Sequence, residues 1–188
     1  MTSRASPINN VIMSTSKNRK VTFLKKVGET EEDTLVSDAI LQEVVATIFK
    51  NARIDRRYDV PYLAGSNRKG TIYIDRRMPK TLVVGKRRVE VDPFVALHEA
   101  VERAVGDRLG LTYQHAHQIA LRAEEAAVRA AGISLHDYNA FMLEQMNKVE
   151  KNFSSLPPDL DLKPYFDKED VEILKKIASM PRHRPRKK

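Results

Sequence analysis

The 188-residue chain contains no cysteine. That absence excludes a disulfide scaffold, a cysteine-ligated zinc site, an iron–sulfur cluster and a cysteine nucleophile. No window approaches the roughly 18 consecutive apolar residues of a transmembrane helix. Residues 1–20 are polar and lack the apolar stretch of a secretory signal, so a cytoplasmic protein without membrane contact is expected. Internal repeats are missing, and low complexity is confined to the ends. What is present is 41% hydrophobic and 31% charged sequence, enough for one globular core and too apolar for a disordered chain.

The formal charge is +8, and its excess is gathered at the ends. Arg4, Lys17, Arg19, Lys20, Lys25 and Lys26 lie near the N-terminus, and residues 181–188 read PRHRPRKK. Such tails suit either nucleic-acid contact or plain solvation. Between them the charge is closer to balance.

Residues 1–32, rich in Ser, Thr, Asn and Lys, read as a flexible arm with at most one short strand in KVTFLK at 20–25. Apolar residues from Leu35 to Phe49 recur at three- and four-residue spacing, which predicts an amphipathic helix over 34–54. Two strand-like runs, 58–63 and 71–75, flank a Gly-Ser-Asn-Arg-Lys-Gly loop and predict a hairpin. Residues 82–84 and 89–91 around Gly85-Lys86 predict a weaker one. From Asp92 onward the pattern is helical. Asp92-Pro93 starts a helix that Gly106 and Gly110 end near Leu109. Thr112 opens the next, to Ala131, and Ser134 a third, to about Asn152. A loop with Pro157, Pro158 and Pro164 and a helix over 168–180 precede the basic tail. The expected fold class is α+β, a small β-hairpin sheet packed on a helical bundle with a helix-rich C-terminal half. The expected divisions are the arm at 1–32, a metal-binding domain at 33–153, the Pro-rich loop and C-terminal helix at 154–180, and the tail at 181–188.

Four of the five histidines, His98, His115, His117 and His136, fall in the helical half. At roughly 100° per residue, Phe94, Leu97, Val101, Ala104, Val105 and Leu109 form one apolar stripe. His98 lies inside it and Glu102 on its edge. Glu99 is turned a further ~100° away from His98. On the next helix Tyr113, Ala116, Ala120, Ala123, Ala127 and Val128 form the inward face, with His117 and Glu124 near its middle. Buried carboxylates are unfavourable unless paired or metal-bound. Counted outward from the turn at Gly110, Glu102 is level with His117, and His98 nearly level with Glu124. All four can face one inter-helix space. Imidazole and carboxylate suit zinc, and also manganese or iron. His117 and Glu124 are about 10 Å apart along their helix, so three first ligands are expected: His98, Glu102 and either His117 or Glu124. A hydrogen-bonded polar core without metal is the alternative. His115 and His136 read as surface residues.

The segment His98-Glu99-Ala-Val-Glu102 resembles the HExxH helix of zincin metallopeptidases, with Glu in the place of the second His. Glu124, 26 residues after His98, resembles the third, acidic ligand of the gluzincin branch. The order of elements over residues 35–131 resembles the compact ImmA/IrrE-like zincins. That resemblance implies a zinc-dependent hydrolase of peptide or protein substrates. It also implies Glu99 as general base and 71–75 as the edge strand beside the substrate. His136-Asp137 resembles the dyad of HD-domain phosphohydrolases, but Asp137 begins a surface-patterned helix. The rival class is a non-catalytic module, metal-stabilised or polar-cored, that binds nucleic acid or protein through its basic ends.

Overall fold

The computed structural model describes residues 31–149, 154–167 and 171–180. The arm before residue 31, the KVTFLK run and the basic tail lie outside the described residues. The fold is α+β, as the patterning predicts, with small sheets of three and two strands against six helices among the described residues. No helix among the described residues is long and apolar enough to cross a membrane.

Helix α1 spans Glu31–Asn51, starting before and ending sooner than its predicted limits. Its C-terminal half packs Leu41, Val45, Ile48 and Phe49 against the core. Leu35, Val36, Ile40 and Val44 are exposed among the described residues. Ile54, predicted helical, lies instead in strand β1, Arg53–Asp55.

The first hairpin is shifted from its predicted place. Residues 58–63 are not a strand; Pro61–Leu63 form a 3-10 turn. Tyr62 and Leu63 there have φ of 57° and 77°, values that interrupt extended backbone. The backbone of this run is taken up singly: Val60 N donates to Asp75 Oδ2 at 2.9 Å, Asp75 N to Leu63 O at 2.8 Å and Arg76 N to Tyr58 O at 2.9 Å. Strand β2 is Ala64–Ser66 and β3 is Thr71–Ile74. The sheet order is β1-β3-β2, with β1 parallel and β2 antiparallel to β3. In the turn between β2 and β3, Asn67 Oδ1 accepts from Lys69 N and Thr71 N. The second hairpin pairs β4, Thr81–Val84, with β5, Arg87–Glu90, across Gly85-Lys86. Gly85 has φ of 60°, the left-handed value that a two-residue hairpin turn demands.

Helix α2 spans Asp92–Leu109 with Pro93 in its first turn, as predicted. Gly110 stops it at φ 63°, its N–H donating to Gly106 O at 3.0 Å. Leu109, read as part of the apolar stripe, is exposed at that end. Helix α3, Tyr113–Ala130, folds back against α2. Its buried Ala116, Ala120, Ala127 and Val128 allow close approach of the two helices. Helix α4, Leu135–Val149, adds Tyr138, whose ring meets Phe94 edge-on at 5.8 Å.

The Pro-rich segment is fastened to the sheet. Fully buried Asp59 accepts at Oδ2 from Ser154 N (2.6 Å), Ser154 Oγ (2.9 Å) and Ser155 N (3.1 Å), while Arg76 Nε meets its Oδ1 at 2.7 Å. Asp161 N donates to Ser66 O at 2.9 Å, along the outer edge of β2. Asn67 and the Tyr73 hydroxyl both donate to Asp159. Helix α5, Lys163–Asp167, then brings Tyr165 against Tyr62, the rings stacked at 6.0 Å and 20°. Helix α6, Val171–Ser179, follows, within the predicted 168–180; residues 168–170 lie outside the described residues.

Candidate metal centre

The antiparallel pairing of α2 with α3 sets Glu102 opposite His117 and His98 opposite Glu124. His117 Nδ1 lies 2.8 Å from Glu102 Oε2, and His98 Nδ1 lies 2.7 Å from Glu124 Oε2. The other nitrogen of His98, Nε2, is 3.1 Å from His117 Nδ1 and 3.4 Å from Glu102 Oε2. His98, Glu102 and His117 can therefore each present one ligand atom, all within 4.8 Å of one another. A tetrahedral zinc ion bound at its usual lengths separates its ligand atoms by about 3.3 Å. The 2.8–3.4 Å spacing of this triad fits that requirement.

Glu124 stands behind His98 rather than in the triad. It occupies Nδ1, and its own Oε1 accepts from the Tyr138 hydroxyl at 2.6 Å. A carboxylate on one imidazole nitrogen fixes the ring and leaves the far nitrogen, which here faces His117 and Glu102, able to meet an ion. On the other side Tyr113 stacks on His117, centroids 5.2 Å apart and planes at 27°. The side chain of His117 is 32% exposed and forms the open side of the cluster.

The electrostatics follow from this packing. Burial by itself would lower the pKa of His98, but hydrogen bonds with Glu102 and Glu124 outweigh it and push the imidazole up to about 10. Burial raises Glu102, yet its bonds with His117 and His98 bring it below the ordinary carboxylate value. Burial, then the nearby Glu124 charge, pushes the Tyr138 hydroxyl well up.

Glu99 departs from expectation. Its helix position turns it away from the apolar stripe, yet it is only 7% exposed. Strand β2 packs against α2, and Ser66 on it acts on the carboxyl to lower its pKa. Burial first and repulsion from Glu102 second raise its pKa to about 8, with His98 acting the opposite way. Its side chain opens into a cavity of about 610 Å³ that His98, Glu102 and His117 also line. Ala64, Gly65 and Ser66 of β2 form one border of this cavity, and Met142 and Met146 of α4 contribute an apolar wall. The predicted border, 71–75, is not there. Strand β3 is central in its sheet, because β1 pairs with the edge that the sequence left unassigned.

His115 is exposed, 3.2 Å from Thr112 Oγ1, and His136 and Asp137 are exposed on α4, apart from the cluster. Sequence reasoning missed Ser66, Tyr138 and Tyr165 as members of the site. Their residue types carry no signal at their own positions, and only long-range packing brings them in. Compared with protein-family models, with curated proteins and with solved structures, the chain matches none.

Proposed function

We propose that the protein is a metal-dependent hydrolase of zincin type acting on peptide bonds, in a cytoplasmic setting that its cysteine-free composition permits. One observation carries this reading. Glu99, a buried carboxylate, opens into the same cavity as a His-Glu-His triad with ligand spacing and an open side. A purely structural cluster has no use for such a carboxylate beside an accessible cleft.

In this reading His98, Glu102 and His117 hold the ion, and Glu124 with Tyr138 keeps His98 oriented. A bound divalent ion, zinc first and manganese or iron by the same donors, supplies Lewis acidity to the attacking water and the scissile carbonyl. The charge of a bound divalent ion would favour the ionised form of Glu99, and the carboxylate would then take a proton from the water as the water oxygen bonds to the carbonyl carbon. It then passes that proton to the amine nitrogen as the carbon–nitrogen bond breaks. Border strand β2 and the Met142–Met146 wall give an extended peptide one polar and one apolar side.

A second reading rests on a specific observation too. The four side chains satisfy one another by hydrogen bonds, so a polar core joining α2 to α3 without catalysis is physically coherent. One experiment separates the two. The full-length chain, loaded with zinc, is incubated with a degenerate peptide library and the products are read by mass spectrometry. Cleavage that a chelator abolishes, and that Glu99→Gln abolishes without loss of metal, supports the hydrolase. A zinc-loaded chain that cleaves no peptide overturns it.

A further inference from the structure

Four arginines just past the ends of β1 and β3 are matched to aspartates: Arg56 to Asp92, Arg57 to Asp55, Arg76 to Asp59 and Arg77 to Asp75. Arg103 on α2 is different. It is half-buried and lines the same cavity as His98, Glu99, Glu102 and His117. Among the described residues its guanidinium has no hydrogen bond or ion pair. The neighbouring acids do not answer it. Glu102 is taken by His117 and His98, and Asp107, one turn further along α2, is exposed and forms no ion pair with it. Other carboxylates of the cavity are occupied too: Glu124 by His98 and Tyr138, Glu125 by Arg129 and Asp161 by Arg68.

The place of this side chain follows from the fold. Gly70, in the turn between β2 and β3, has φ of 88°, a left-handed value that favours glycine. A β-carbon there would overlap the Arg103 guanidinium, standing 3.2 Å from its Cζ. The turn backbone therefore lies directly against Arg103, and the turn is itself fixed by Asn67 Oδ1, which accepts from Lys69 N and Thr71 N. Arg103 also follows Glu99 by four residues, so the two share one face of α2, about 6 Å apart along its axis. An extended peptide beside β2 advances about 3.3 Å per residue. Arg103 thus stands opposite a position about two residues from the bond that Glu99 serves.

An unpaired guanidinium at a cleft suits a planar anion, and a carboxylate matches its fork with two parallel N–H···O bonds. We propose that Arg103 is a specificity residue that binds a substrate carboxylate about two residues from the scissile bond. The proposal rests on the hydrolase reading given above and names the substrate class of that same site. The carboxylate belongs to an Asp or Glu side chain or to the peptide's own C-terminus, and the two sources present the same chemistry to the arginine.

The test starts from a peptide that the wild type cleaves. Asp, Asn or Lys is placed in turn at each position within about two residues of the scissile bond. Every peptide is made with a free C-terminus and with a C-terminal amide, which separates side-chain from terminal carboxylates. Wild type, Arg103→Gln and Arg103→Glu are compared, all full length and zinc-loaded. At one position, wild type should favour the carboxylate over its neutral counterpart by on the order of tenfold to a hundredfold in kcat/KM. Arg103→Gln should bring that ratio to parity, and Arg103→Glu should turn it in favour of Lys, with zinc content and melting temperature as in wild type. Binding is read separately by calorimetry in Glu99→Gln, where the same preference should appear in Kd and vanish when Arg103→Gln is added. A wild type indifferent to the carboxylate, or an Arg103→Gln that keeps the preference, overturns the proposal and leaves the hydrolase reading intact. So does an equal loss on all peptides with a fall in melting temperature, which marks Arg103 as packing against Gly70 only. A wild type that cleaves nothing overturns the hydrolase reading, and this proposal with it.

Discussion

Glu124 holds His98 from behind: its Oε2 lies 2.7 Å from Nδ1, which leaves Nε2 turned toward His117 and Glu102. The two residues are 26 apart in sequence and come together because α2 and α3 run antiparallel through the turn at Gly110. This one contact sorts the four residues of the cluster into three that can share an ion and one that orients.

The first prediction concerns the ion. His98→Ala or Glu102→Ala should abolish stoichiometric zinc, measured by elemental analysis, and with it the metal-dependent rise in melting temperature. Zinc at a hundred times its dissociation constant stabilises a native protein by about 2.7 kcal/mol. Wild-type protein whose melting temperature ignores zinc, manganese and iron contradicts the metal centre.

Removing the support behind His98 should act more gently. Tyr138→Phe deletes the hydroxyl that Glu124 accepts from and leaves the triad intact. Zinc affinity should fall by roughly 10- to 100-fold, measured by competition with a chromophoric chelator. Equal affinity in the two proteins would show that Glu124 does not orient His98.

Glu99→Gln should separate holding the ion from using it. The amide keeps the shape of the carboxyl, so zinc content should be unchanged and folding retained, while the peptide cleavage rate falls a hundredfold or more. Full activity in this variant would remove Glu99 from the mechanism.

Acid should release the Pro-rich segment from the sheet. Burial alone would raise the pKa of Asp59, but hydrogen bonds from Ser154 N–H, Ser154 hydroxyl and Ser155 N–H, with the Arg76 charge, outweigh it and depress the value. A depressed carboxylate pKa stabilises the fold at pH above its unfolded value of about 3.9. That contribution is lost as pH falls through the still lower folded value. The melting temperature should drop below about pH 4 more steeply in wild type than in Asp59→Asn, which lacks the titrating group. Parallel curves for the two proteins would exclude the linkage.

The amino-acid sequence alone determined the helical half and which four polar side chains, His98, Glu102, His117 and Glu124, meet between α2 and α3. Helix α2 runs between Asp92 and Leu109 because its start and stop signals, Asp-Pro and a left-handed glycine, are local. The level pairing of Glu102 with His117 and of His98 with Glu124 follows from helix rise and a short turn, both readable along the chain. Tertiary structure decided the rest. Strand pairing is non-local, so periodicity could not show that β3 is central, that β1 joins it in parallel, or that Tyr62 and Leu63 leave the extended region. Whether Glu99 meets water or protein depended on β2 packing across α2, which the wheel of one helix cannot contain. Tyr138 and Tyr165 enter from α4 and α5, elements whose own patterns specify only which face is buried. That they line the cavity beside the His-Glu cluster follows from the neighbours that packing supplies, and that is a property of the folded molecule.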